Sequence, residues 1–247
     1  MPPHLSIVIP AHNEETRLPD SLTRILEHLG RQPFEWEVLV VENGSRDRTA
    51  EVAERFARQT PRVRVLREAQ RGKGLAVRRG MLEAAGEFRF ICDADLSMPF
   101  DQVNRFLPPA LQEYDIAIAS REAPGAVRYG EPFYRHWVGR AFNRIVRLLA
   151  VPGFQDTQCG FKCFRAAAAE ALFPLQRLQG WTFDVELLFV AVRRGYRVVE
   201  VPIPWHYYPG SRVSLLRDSL AMFTDLFRIR RNWLRGFYAT ESAAESA

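Results

Sequence analysis

The chain has 247 residues, 47% hydrophobic and 26% charged, which excludes a disordered chain, a collagen-like fibre and a small disulfide scaffold. Its 34 basic and 29 acidic residues give a net charge of +5, and six arginines (212, 217, 228, 230, 231, 235) against Asp218 and Asp225 put +4 between positions 212 and 238. Apolar runs stay below the ~18–20 residues that span a bilayer and the first residues lack a signal-peptide pattern, so the sequence predicts a cytoplasmic protein.

Residues 5–9 form the β-branched run of a strand, and Leu18, Leu22, Ile25, Leu26 and Leu29 then recur at helical spacing until Gly30. A strand at 37–41, a helix from an Asp47 cap to residue 59, a strand at 63–66, a helix at 74–85 and a strand at 88–92 follow. This alternation predicts an α/β protein of parallel βαβ units, with helices on both faces of an open sheet and ligands at the C-terminal strand ends. Further on come a strand at 115–119, a loop rich in Gly and charge at 121–131, helices at 132–150 and 181–194, a strand at 197–202 and a last helix at 213–237. No linker divides the chain, so one domain is expected over 1–238, with a frayed tail at 239–247. Cys92, Cys159 and Cys163 are an odd number in a large chain and read as buried small residues.

Two nucleotide motifs are absent. Gly72-Lys73 has Arg67 where a P-loop needs Gly, and Pro10-Ala-His-Asn-Glu14 stands where a dinucleotide fingerprint would follow the first strand. The strongest chemical signal is Asp93-Ala-Asp95, directly after an apolar strand. Two carboxylates there repel each other, and a divalent cation between them, Mg²⁺ or Mn²⁺ shared with ligand phosphates, relieves the repulsion. Asn13-Glu14 and Glu42-Asn43-Gly-Ser-Arg-Asp47 reach the same sheet edge, where they either hydrogen-bond a base or ribose or simply build turns.

These segments occur in a recognisable order. Pro10-x-x-Asn13-Glu14, Val41-Glu-Asn-Gly-Ser-x-Asp47, Arg71-Gly-Lys-Gly74 with Gly80, Asp93-Ala-Asp-Leu-Ser97, Asp156-Thr-Gln-Cys-Gly-Phe-Lys162, Phe183-Asp-Val-Glu186 and Pro209-Gly-Ser-Arg212 together resemble family 2 inverting glycosyltransferases of the GT-A fold. The similarity runs over residues 4–230 and leans to the polyprenyl-phosphate sugar synthases, the dolichyl-phosphate mannosyl- and glucosyltransferases included.

The resemblance implies a nucleotide-sugar-binding half over 1–120 and an acceptor-binding half over 121–238. In the first, Pro10, His12, Glu14, Val41 and Asn43 would line the nucleoside pocket, with Lys73 and Ala94 beside them. Asp93, Asp95 and Ser97 would be the metal-site residues for Mg²⁺ or Mn²⁺, Asp95 foremost. Arg121, Arg135 and Arg212 match arginines that engage the diphosphate and the acceptor phosphate, and Lys162 would help to position that acceptor. Asp156, Asp184 and Glu186 are the acid/base candidates. Residues two apart do not share a helix face, so one of the last two should enter the site, and the motif favours Glu186.

The implied reaction is metal-dependent, inverting transfer of a hexose, from UDP-glucose or GDP-mannose, to a polyprenyl phosphate. A glycan or other hydroxyl acceptor, or a non-catalytic nucleotide-sugar-binding subunit, stays open as an alternative. Leu216, Leu220, Phe223, Phe227 and Leu234 form an apolar stripe on the last helix with arginines beside it, which suits either core packing or a membrane surface. With a lipid acceptor implied, this helix is expected to meet the membrane surface and the protein to be peripheral on its cytoplasmic face. A nucleic-acid partner is not expected, because no reading-head motif accompanies the basic end.

Overall fold

The computed structural model of the protein describes residues 2–208 and 215–239, without the side chains of 134–136, 138, 141, 142 and 215–219. In chain order the first half comprises β1 (Leu5–Ala11), α1 (Leu18–Leu29), β2 (Trp36–Asn43), α2 (Thr49–Gln59), β3 (Val63–Glu68), α3 (Lys73–Glu83) and β4 (Phe88–Cys92). The second comprises β5 (Ile116–Ser120), β6 (Val127–Tyr129), α4 (Phe133–Leu149), β7 (Phe161–Arg165), α5 (Ala166–Leu172), α6 (Phe183–Arg193), β8 (Val198–Pro202), β9 (Pro204–His206) and α7 (Leu215–Leu234).

Seven strands form one sheet in the order β3-β2-β1-β4-β7-β5-β8, and β6 pairs with β9 in a small separate sheet. β1 is flanked by β2 and β4, and β2 by β3, all parallel, as the βαβ pattern predicts. The departure is β7, which runs antiparallel between β4 and β5. Its Phe-Lys-Cys-Phe-Arg sequence carries a lysine at a buried position, which hides the strand from any reading of periodicity.

β1, β2, β4 and β5 are buried or nearly so along their whole length, as strands covered on both faces must be. On one face α1 brings Leu18, Leu22 and Ile25 to a cluster around Phe90, Phe106 and Phe161, whose rings meet edge-to-face at 4.4–5.5 Å. On the other face α3 lies so close to β1 that a Cβ on Gly80 would fall 2.3 Å from Val8 Cγ1. The N-cap of α2 is Arg48 and not Asp47 as the sequence suggested; Asp47, one residue earlier, accepts the Thr49 amide (3.0 Å). The three cysteines are free and buried, and burial pushes the Cys159 and Cys163 thiols up to about 12.

Candidate active site

At the C-terminal strand ends lies a cavity of about 610 Å³, walled by the turns after β1, β2 and β4, the start of α3, the loop after β5, and by α4, α6, β9 and α7. Pro10, His12, Glu14, Asn43, Lys73, Asp93, Ala94, Asp95, Ser97, Arg121 and Asp156 all face it, so the structure brings most of the sequence-predicted residues together. Val41 is not a wall. Its Cγ2 would lie 2.9 Å from a Cβ on Gly80, so its side chain fills the α3 interface instead of a nucleoside pocket. Arg135 belongs to α4 with its side chain outside the description, and Arg212 lies outside the described residues.

The first two βα turns are stitched together. Asn13 takes a left-handed conformation (φ 52°), donates its amide to Ser45 Oγ (3.0 Å) and accepts the Arg46 amide (2.7 Å). His12 Nδ1 lies 2.7 Å from the Asn43 carbonyl. The Asn43 side chain accepts from Gly72 N (2.7 Å) and donates to the Gln70 carbonyl (2.5 Å), which ties the end of β2 to the start of α3. Arg17, which the motifs do not mark, forks onto Glu14 at 2.7 and 2.8 Å. Burial pulls its proton affinity down, but Glu14, Asp95 and Asp93 raise it overall.

After β4 the chain turns through Leu96 at φ 46°, a conformation that costs a branched residue energy and marks a site held by its surroundings. The turn presents both aspartates. Asp95 Oδ1 accepts the Ser97 amide (3.0 Å), and Asp93 Oδ1 lies 2.6 Å from Lys73 Nζ, which sits 5.2 Å from the Trp181 ring centre. A Cβ on Gly160 would fall 1.9 Å from Asp93 Oδ2, so this glycine of the Asp-Thr-Gln-Cys-Gly segment makes room for the carboxylate. Among the described residues no three His, Cys, Asp or Glu side chains converge into a cage. A closed Zn²⁺ site is therefore a poor fit to them. Two carboxylates on an open cavity fit Mg²⁺ or Mn²⁺, hard ions that take one or two protein oxygens and complete their shell with phosphate and water.

The far end of the cavity is rich in arginine. Arg121 donates from its backbone N and Nε to Asp156 Oδ2 (3.0 and 2.6 Å) and from its terminal nitrogen to Oδ1 (2.9 Å). Burial pushes the Asp156 carboxyl up, yet Arg121 outweighs it and holds the group at about 2. Glu200 of β8 accepts the amides of Gln155 and Asp156 (both 2.9 Å) and so fixes that segment. Arg128 of β6 pairs with Glu122 and with Glu131 (2.5 Å), and the guanidinium carbons of Arg121 and Arg128 each lie 5.6 Å from the Trp205 ring centre. Arg128, Trp205 and Glu200 escaped the sequence reading. β6 and β9 are three residues long, too short to carry a readable period, and Glu200 lies on the strand expected at 197–202 with no motif to mark it.

α6 reverses one expectation. Asp184 faces the cavity and Glu186 does not. Glu186 is 0% exposed, with Oε2 accepting the amides of Arg177 (3.0 Å) and Leu178 (2.8 Å) and Oε1 the Tyr238 hydroxyl (2.6 Å). Lys162 is likewise no cavity wall: its Nζ is buried on Asp184 (2.8 Å) and the Cys159 carbonyl. Burial raises the Asp184 carboxyl, opposed by Lys162 and Lys73.

Comparison with known proteins identifies the family and the fold. The sequence profile described as Glycosyl transferase family 2 matches residues 6–173. The dolichyl-phosphate beta-glucosyltransferase of Dictyostelium discoideum is 32% identical over 97% of this chain and 77% of its own length. Proteins of the same name from Drosophila melanogaster (36%) and Homo sapiens (33%) each match 96% of this chain and 78% of their own. Glucosyl-3-phosphoglycerate synthase of Mycobacterium tuberculosis in complex with UDP superposes with a TM-score of 0.69 at 20% identity, over 92% of this chain and 80% of that one. The same enzyme with Mn²⁺ and UDP-glucose superposes at 0.63 and 17%, over 91% and 79%. The fold is thus the GT-A fold, and the chain belongs to glycosyl transferase family 2 as a glycosyltransferase.

Proposed function

We propose that the protein transfers glucose from UDP-glucose to the phosphate of a polyprenyl lipid, with inversion at the anomeric carbon, at the cytoplasmic face of a membrane. The relatives named as dolichyl-phosphate beta-glucosyltransferases support glucose, a lipid phosphate and a β-linked product. The observation that carries the reading is a single cavity with a carboxylate–lysine end and an arginine end, bounded by two helices whose outer faces are apolar and basic.

In this reading residues 1–120 form the donor half and 121–238 the acceptor half. Pro10, His12, Glu14, Asn43 and Ala94 surround the nucleoside, and Lys73 with Arg17 faces the diphosphate. Asp93 and Asp95, the latter accepting the Ser97 amide, would hold Mg²⁺ or Mn²⁺, which would supply positive charge to the leaving diphosphate. An oxygen of the acceptor phosphate attacks the anomeric carbon on the face opposite the diphosphate. The bond to the diphosphate breaks through an oxocarbenium-like state, and its electron pair leaves with UDP. Arg121 and Arg128 position the acceptor phosphate, while Arg135 and Arg212 are assigned to the phosphates on the resemblance alone.

A phosphate monoester is already ionised at neutral pH, its second pKa being ~6, so this acceptor needs no strong base. That suits the carboxylates present. Asp156, at about 2 with both oxygens on Arg121, is a poor proton acceptor, and Asp184 is ion-paired with Lys162. A sugar hydroxyl would ask more of either group.

No helix among the described residues is long and apolar enough to cross a membrane, and two of them present surfaces suited to lipid. α4 exposes Phe133 (76%), Trp137 and Leu148 and carries four arginines (135, 140, 144, 147) with no acid. α7 exposes Leu220, Phe223, Phe227 and Leu234 (86%), with Arg228, Arg231 and Arg235 also exposed. Arg230 of α7 donates to the Leu149 carbonyl at the end of α4 (3.3 Å), so the two helices adjoin. Basic helices with exposed aromatics lie in the interfacial layer. The sequence reading placed the charge on the last helix alone; α4 is a second bearer of it. Purified protein with Mn²⁺ or Mg²⁺, labelled UDP-glucose and a polyprenyl phosphate should yield labelled lipid with a β linkage. Label that never enters the lipid fraction overturns the proposal.

A further inference from the structure

Glu186 is a buried acid outside the cavity, yet its contacts lead into it. The backbone amides it accepts, those of Arg177 and Leu178, belong to a loop that closes over the start of α3. Gly74 N donates to the Gln179 carbonyl (2.8 Å), and Gln176 Nε2 donates to the Gly74 carbonyl (2.8 Å) and the Leu178 carbonyl (2.9 Å). The fit leaves no slack. A Cβ on Gly72 would lie 2.6 Å from the Gln179 carbonyl oxygen, and one on Gly74 2.8 Å from that of Leu178. Lys73 stands between these two glycines, and Trp181 of the same loop covers its ammonium.

The other oxygen of Glu186 leads to the opposite end of the chain. Beyond α7 the backbone turns at Gly236 (φ 72°) and buries Tyr238, whose hydroxyl donates to Glu186 Oε1 (2.6 Å). Arg194 donates to the Tyr238 carbonyl, Arg177 to the Phe237 carbonyl (3.3 Å), and Asn232 Nδ2 to the Tyr238 hydroxyl (3.4 Å). A path of hydrogen bonds and intervening backbone thus runs from the chain after α7, through one carboxylate and one loop, to Gly74 and the adjoining lysine on Asp93.

We infer that Glu186 is a positioning residue for Lys73, and that Tyr238 makes this clamp depend on how the chain after α7 is seated. Glu186 sets the 176–181 loop, the loop sets the start of α3, and α3 aims Lys73 at the donor diphosphate. The inference rests on the proposed role of Lys73 toward that diphosphate. It separates Glu186 from proton transfer: glutamine, whose carbonyl can accept both amides and whose NH₂ can donate to the Tyr238 oxygen, should keep the clamp.

Three variants of the full chain test it: E186Q, E186A and Y238F, each measured for UDP affinity by calorimetry with Mn²⁺, for donor and acceptor KM, and for exchange of the Gly74 amide. E186A should weaken UDP binding and raise the donor KM by about tenfold or more, Y238F by about threefold to tenfold, with acceptor KM changed less than about twofold. Gly74 exchange should accelerate in both, and E186Q should stay within about threefold of the parent. UDP affinity unchanged in Y238F and E186A, whatever their melting temperatures, overturns the inference. So does E186Q losing kcat as E186A does, which would make Glu186 a proton-transfer group. UDP binding and amide exchange need no acceptor, so a chain that failed to glucosylate a lipid would still report on the clamp.

Discussion

Lys73 Nζ lies 2.6 Å from Asp93 Oδ1, so a lysine occupies one of the two carboxylates that the sequence marks for a divalent ion. Burial pulls the Lys73 ammonium down, but Asp93, Asp184 and Asp95 raise it overall, and the side chain stays charged through neutral pH. It is a fixed cation beside the proposed diphosphate site.

Lys73→Gln removes that cation while keeping much of the length. A hydrogen bond to a charged group contributes ~1.5–3 kcal/mol, so the KM for UDP-glucose should rise ~10–100-fold. Steady-state kinetics at saturating Mn²⁺ checks this, and an unchanged donor KM removes Lys73 from the diphosphate site.

Asp95→Ala should lower kcat ~10²–10³-fold, in the range of lost electrostatic stabilisation of a leaving group, with the far-ultraviolet spectrum of the parent retained. Titration with Mn²⁺ is the discriminating measurement. The parent should show saturable activation and the variant almost none; equal activation in both would move the ion elsewhere.

The Arg121–Asp156 pair predicts a pH signature. Asp156 sits at about 2, below its ordinary value of ~3.9, so its contribution, about 2 kcal/mol, is fully present above pH ~4 and is lost as the pH falls toward ~2. Asp156→Asn should therefore be destabilised by at least that much at pH 7, and the gap to the parent should close in acid. Urea unfolding at several pH values measures it, and a gap independent of pH contradicts the pairing.

Trp137→Glu together with Leu234→Glu places two acids on the exposed faces of α4 and α7. Fully burying one such apolar side chain contributes ~1.5–3 kcal/mol, so partition onto anionic phospholipid vesicles should fall by ~10-fold or more. Co-sedimentation reads this directly, and undiminished binding assigns these faces to another partner.

Much of this was legible in the sequence because the donor half is built from strands rich in β-branched and aromatic residues, and its first two helices keep a clear 3.6-residue period. Its polar residues stand where strands end, so the strand register alone brings Asn43 and Asp93 to one edge. The acceptor half was less so. β7 carries a buried Lys162 whose partner, Asp184, is 22 positions away in the chain, and no local pattern announces an ion pair of that span. Glu186 was misassigned for a related reason: a motif marks which acid matters, but only packing shows that its oxygens face amides and a tyrosine rather than a ligand. Arg128 and Trp205 come together through β6 pairing with β9, a register set by tertiary contacts.

The central claim concerns the acceptor, and competition between acceptors tests it most directly. Labelled UDP-glucose with Mn²⁺ is offered to the purified protein together with equal concentrations of a polyprenyl phosphate, the corresponding polyprenyl alcohol and a soluble glycan. Label is expected in the phosphate-linked lipid almost exclusively, released as glucose by mild acid and β-configured. Label in the glycan or the alcohol, with none in the lipid phosphate, would contradict the proposed function.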